Sequence, residues 1–223
     1  MTDQEWCIKV PSGKFDALRG DERFRQVLAL GRMLNSLRFL QFTFLGAADL
    51  RPPGDFRQRL NAFFFIVAVM YEGLLLLQRT GKHFRDKNSW QHKIMPILRD
   101  GTFDRLFTAS MNPLRNQAVF HFSEDALKEP LAACDAKDFT IVARSGRGQK
   151  EVFYELSDRL ALDLFIGNSV STEEQTRRAI TLMDQTLDIL REIVEASESL
   201  IGEYCSSEGL VFESVLREES GGS

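Results

Sequence analysis

The sequence predicts an all-α protein, a helical bundle with one inserted β-hairpin. Three observations carry this. Apolar residues recur every three to four positions over residues 24–42 and again over 180–204. Residues 60–77, LNAFFFIVAVMYEGLLLL, are apolar nearly all round, as a central buried helix is. Strand-like runs flank a single glycine-bearing turn, within residues 139–155.

Taken in order, residues 1–20 carry Pro11, Gly13 and Gly20 and read as an irregular lead-in. Asp21 reads as an N-cap with Glu22 in the first turn of a long helix. Phe24, Val27, Gly31, Leu34, Arg38 and Phe42 follow its spacing, and Leu30, Leu37 and Phe44 widen its apolar surface. Its second half is therefore expected to be buried on several faces. GAADLRPPG, residues 46–54, is a turn-rich break. A second long helix is expected from about Phe56 to Arg79. Its apolar run is near the lower limit of about 17–25 residues for a membrane span, and Glu72 interrupts it, so a core helix is the favoured reading.

A polar stretch follows, then a short helix over His92–Leu98, which Pro96 weakens, and another in TFDRLFTA. In NPLRNQAVFHF, residues 112–122, Asn112 can cap a helix and Pro113 can take its first position. TIVAR and EVFYEL flank the turn SGRGQK and read as the hairpin. A helix over 157–166 and a long one over Thr172–Tyr204 complete the bundle. Ile180, Met183, Leu187, Leu190, Val194, Ser197, Ile201 and Tyr204 form a narrow seam on the last helix, suited to one partner helix. The expected organisation is one domain over 21–205 and a flexible tail over 206–223.

Charge narrows the function. The chain has a net charge of −4, which argues against broad coating of nucleic acid. Residues 79–122 nevertheless hold eight basic against three acidic residues, a balance of +5, whereas residues 171–223 hold four against twelve, a balance of −8. The basic segment reads equally as a local anion site or as the counterpart that neutralises the acidic helix. Cys7, Cys134 and Cys205 are odd in number and widely spaced, which points to a reducing, cytoplasmic setting rather than a disulfide framework. The acidic N-terminus, without a continuous apolar core, does not read as a signal peptide.

No metal-ligand spacing and no GxSxG nucleophile turn occurs, so no metal or other cofactor is expected. What remains is metal-free phosphoryl chemistry on RNA, whose 2′-hydroxyl is its own nucleophile. Such chemistry needs a proton shuttle and a fixed positive charge on the phosphate. His121 offers the first, Arg115 the second, and Asn116 a group that orients either. On an ideal α-helix six residues turn through about 600°, leaving Arg115 and His121 about 120° apart. A local backbone deviation, a long arginine reach or a second copy of the chain would reconcile them.

Arg115-Asn116 followed at a distance by His121, in a helical chain, resembles the motif of the HEPN superfamily, an arginine and a polar residue with four to six residues before a histidine. The resemblance implies a helical bundle, often a homodimer with the motifs facing each other. It also implies metal-independent endoribonuclease activity in the active members, many of which are toxins or antiviral defence effectors, and it leaves room for an antitoxin or regulatory protein as partner. A non-catalytic module that binds a nucleotide or a protein is the alternative.

Asn35, Arg38 and Glu72 are candidates to line the site, with an Arg38–Glu72 ion pair as the favoured main role of the two charges; both hold if the pair borders the site. Arg144, Arg147 and Lys150 make the hairpin a basic finger for RNA, or an ordinary solvated turn.

Overall fold

The computed structural model describes residues 5–46, 54–112, 114–119, 125, 128–132, 143–144, 152–153, 160–163, 166 and 172–215. These are predominantly helical. Three long helices form the frame: α2 (Glu22–Gly46), α3 (Gly54–Phe84) and α7 (Thr172–Ser207). The short helix α1 (Ser12–Leu18) precedes them, and α4 (Met95–Arg99), α5 (Gly101–Leu106) and α6 (Lys128–Ala132) lie between α3 and α7. Three wider π-helical turns, π1 (Trp90–Ile94), π2 (Phe107–Met111) and π3 (Leu114–Val119), fall in the segment after α3. Such i→i+5 backbone is rare, and it recurs at functional positions.

Asp21 caps α2: its Oδ1 accepts the Arg23 backbone N–H at 2.8 Å. α2 and α3 run antiparallel. Gln26 of α2 donates to the Arg79 carbonyl at 3.4 Å, and Glu22 pairs with Lys82 at 3.3 Å. Gly73 lets the helices approach there, since a Cβ on it would stand inside the van der Waals shell of the Met33 sulfur. Phe63, Ile66, Val67, Met70, Leu74 and Leu77 of α3 are fully buried. Residues Gln58–Phe84 are long and apolar enough to cross a membrane, but the most apolar eighteen-residue stretch among them is 61% buried inside the fold, which is the burial of a core helix.

α7 closes the third side. Tyr204 packs between Phe24 and Phe84, with ring centroids 6.4 and 6.0 Å away. The predicted seam is present but rotated. Ile180 is 55% exposed, whereas Thr186, Ile193, Ala196 and Leu200 are buried. α7 meets α2, α3 and the π1–α4 segment, and several neighbours call for a broader face than one partner would. The second half of α2 also differs from expectation: Phe39, Phe42 and Leu45 are 69%, 78% and 69% exposed. α3 and α7 cover one side of α2 and leave these residues outward.

Both chain ends depart from the expected irregular lead-in and tail. β1 (Glu5–Lys9) pairs antiparallel with β4 (Val211–Val215), in register from Glu5↔Val215 to Lys9↔Val211. A glycine turn makes this possible. Gly209 has φ +59°, its N–H donates to the Ser206 carbonyl at 3.1 Å, and the Leu210 N–H donates to the Cys205 carbonyl at 2.9 Å. That is a Schellman ending for α7, and it turns the chain back with Leu210 in the core. Lys14 of α1 donates to the Glu208 and Gly209 carbonyls, placing a cation on the helix C-terminus. β2 (Ala143–Arg144) pairs antiparallel with β3 (Val152–Phe153). Cys7 and Cys205 are free thiols, and Cys134 lies outside the described residues.

Candidate functional site

Arg115 sits on π3, against the middle of α3. The sequence predicts an ordinary helix through this segment; the backbone from Leu114 to Val119 is instead π-helical, so the α-helical arithmetic does not govern it. Leu114 and Met111 are fully buried and anchor the segment to the core. Directly after them, Arg115 and Asn116 are half-buried.

The Arg115 guanidinium donates from Nη2 to Glu72 Oε1 at 2.5 Å and from Nη1 to Asn116 Oδ1. Asn116 Nδ2 in turn donates to Asn112 Oδ1. The flat guanidinium also lies 5.4 Å from the centroid of the Tyr71 ring. Tyr71 stacks on Phe107 of π2, with centroids 4.4 Å apart and planes 7° from parallel. The arginine is therefore held at its edge by a carboxylate and an amide, and over its face by an aromatic stack. Its side chain is 27% exposed and that of Glu72 44%. A guanidinium fixed this way is pre-organised for an anion that approaches its exposed part. Glu72 already balances its charge.

The other predicted residues divide. Glu72 meets Arg115 and not Arg38. Arg38 is exposed and pairs with Glu198 of α7, so the expected Arg38–Glu72 pair is replaced by two pairs with new partners. Asn35 is exposed on α2. Arg144 lies on β2, while His121, Arg147 and Lys150 lie outside the described residues. Among the described residues no group of three or more His, Cys, Asp or Glu side chains gathers as a metal site.

No protein-family model, curated protein or solved structure matches the chain. The HEPN resemblance stands on Arg115, Asn116 and His121 and the helical setting.

Sequence reasoning missed Tyr71 and Phe107 as parts of this cluster and gave Asn112 only a capping role. An aromatic next to the one acid in an apolar run, Tyr71-Glu72, was the available signal. A polar pair inside a core helix calls for a polar partner.

Proposed function

We propose that the chain is a metal-independent endoribonuclease of HEPN type, acting in the cytoplasm as a homodimeric toxin or defence effector. The observation that supports it is the arginine of the motif, half-buried and fixed by Glu72, Asn116 and the Tyr71 face. In this reading His121 moves a proton from the 2′-hydroxyl or to the departing 5′-oxygen. The 2′-oxygen attacks phosphorus, the P–O5′ bond breaks, and a 2′,3′-cyclic phosphate results. Arg115 carries the charge that builds on the phosphorus oxygens, and Asn116 keeps the guanidinium in place. The β2–β3 ladder, with Arg144, would present the basic finger to the RNA backbone.

Purified protein incubated with RNA in EDTA is expected to cut it. His121→Ala is expected to reduce the rate by about 10²–10⁴. No cleavage, or equal cleavage by wild type and variant, overturns the assignment.

The Arg115–Glu72 pair favours a second reading, a non-catalytic binding module of the same kind. There Arg115 is structural, its charge already balanced by Glu72. Absence of cleavage together with a raised melting temperature in the presence of a nucleotide or an antitoxin-like partner would favour it.

A further inference from the structure

A second site lies at the far end of α3. A cleft of about 530 Å³ opens there, lined by Arg85, Trp90, Gln91, His92, Met95, Leu98 and Arg99. That volume is within the range of about 300–1,000 Å³ typical of small-molecule sites. Trp90, Met95 and Leu98 give it an apolar floor. Arg85 and Arg99 are exposed and give it a cationic rim, with the exposed His92 imidazole beside them. Met95 and Arg99, at i and i+4 on α4, share one face.

Among the described residues no carboxylate lines this cleft, and none forms an ion pair with Arg85, His92 or Arg99. The neighbouring acids are otherwise placed. Asp86 and Asp100 are exposed outside the lining. Glu203 of α7, on the other side of the segment, accepts the backbone N–H groups of Asn88 at 3.1 Å and Ser89 at 2.8 Å. Burial opposes its ionisation, but those donors outweigh it and hold its carboxyl below the ordinary range. Glu203 thus fixes the start of the segment and does not neutralise the rim. The contrast is the small cleft at Arg177 and Arg178, where both arginines are already paired with Glu174.

The floor is fixed as well. The Trp90 indole N–H donates to Thr80 Oγ1 at 3.2 Å, and the ring edge abuts Gly81. The Arg85 guanidinium lies 5.9 Å from the Trp90 ring centroid, which aims the cation across the cleft mouth.

We propose that this cleft binds a nucleoside diphosphate. The phosphates meet the guanidinium forks of Arg85 and Arg99, with His92 beside them. The base lies on the Met95–Leu98–Trp90 floor, where the pliable thioether adapts to a flat ring. The Gln91 amide, which donates to the Arg85 carbonyl at 3.2 Å, offers its oxygen to the base edge. The site is independent of the Arg115 cluster: Glu72 and Arg85 are thirteen positions apart, about 20 Å along a helix. ADP bound by protein that leaves RNA intact upholds this site and counts only against the ribonuclease reading.

Titration calorimetry of the full chain with ADP, pyrophosphate and adenosine tests it. ADP is expected to bind at least tenfold more tightly than either half-molecule. Arg99→Gln, which removes an exposed charge that has no ion pair among the described residues, is expected to weaken ADP binding about tenfold or more. Arg191→Gln, an equal change of charge on α7, is expected to leave it unchanged. No ADP binding, pyrophosphate or adenosine binding as tightly as ADP, or an unchanged affinity in Arg99→Gln overturns the proposal.

Discussion

Gly81 and Gly31 both sit inside long helices, yet alanine is expected to have opposite effects at the two. A Cβ built on Gly31 of α2 meets nothing within 4 Å. Gly31→Ala should therefore show only the helical preference of alanine, a gain of about 0.5–1 kcal/mol. A Cβ on Gly81 of α3 falls 2.7 Å from Cζ2 and 3.3 Å from Cε2 of Trp90. Comfortable carbon contacts begin near 3.5 Å, so about 0.8 Å of space must open. Trp90 cannot supply it cheaply. Its ring is rigid, it is 7% exposed, and its N–H is held by the fully buried Thr80. Overpacking of this kind costs about 1–3 kcal/mol, and the helical gain offsets about 0.5–1 of it. Gly81→Ala should lose roughly 0.5–2 kcal/mol, with Gly31→Ala moving the other way. Urea unfolding followed by far-UV circular dichroism gives both numbers against wild type. Because Trp90 floors the cleft, Gly81→Ala should also weaken ADP binding. Equal stabilisation by the two substitutions would refute the close approach of α3 to Trp90, and with it the fixed floor.

Two further predictions concern ionisation. Burial pushes the Tyr204 hydroxyl up to about 12, and Asp21 and Glu208 add to the shift. A folded pKa above the unfolded value of about 10 means the folded state holds the proton longer. The stability Tyr204 supplies is then complete below pH 10 and is lost as pH rises towards 12. Its hydroxyl has no hydrogen-bond partner among the described residues. Tyr204→Phe should therefore be neutral or up to about 1 kcal/mol stabilising at pH 7 and should lose stability less steeply between pH 10 and 12; an identical alkaline limb would count against this. For Glu203 the sign is reversed, because its folded pKa lies below the ordinary value. Its contribution is present above about pH 4.5 and is lost as the pH falls through the folded value. Glu203→Gln should cost roughly 1–2 kcal/mol at pH 7 and flatten the acid limb of stability, as read by thermal melting from pH 7 to 3. A variant as stable as wild type at pH 7 would show that the Asn88 and Ser89 caps contribute nothing.

Much of the frame was legible because helices declare themselves locally. Asp21 before Glu22, the apolar run of α3 and the three-to-four spacing of α7 each lie within one continuous segment, so periodicity and capping chemistry suffice. The strand ends were not legible for the opposite reason. Five residues at Glu5–Lys9 acquire meaning only by pairing with Val211–Val215, and a lone strand leaves no helical period to read. Gly209 was the visible clue: a glycine just past a long helix, followed by an apolar residue, is the composition of a helix-ending turn. The π-helical backbone at Leu114–Val119 likewise has no simple periodic signature.

The sequence by itself determined that this is a helical protein with a central apolar helix, an acidic final helix and a basic segment containing Arg115, Asn116 and His121. Composition and spacing are properties of the chain alone, and they are sufficient for that. Tertiary structure decided which charges meet. Glu72 holds Arg115 across 43 positions of sequence, Arg38 goes to Glu198 instead, and Glu203 is taken up by backbone N–H groups, so that among the described residues Arg85 and Arg99 beside Trp90 have no carboxylate partner. An ion pair forms where packed helices bring two side chains within about 4 Å, and no local pattern encodes that distance.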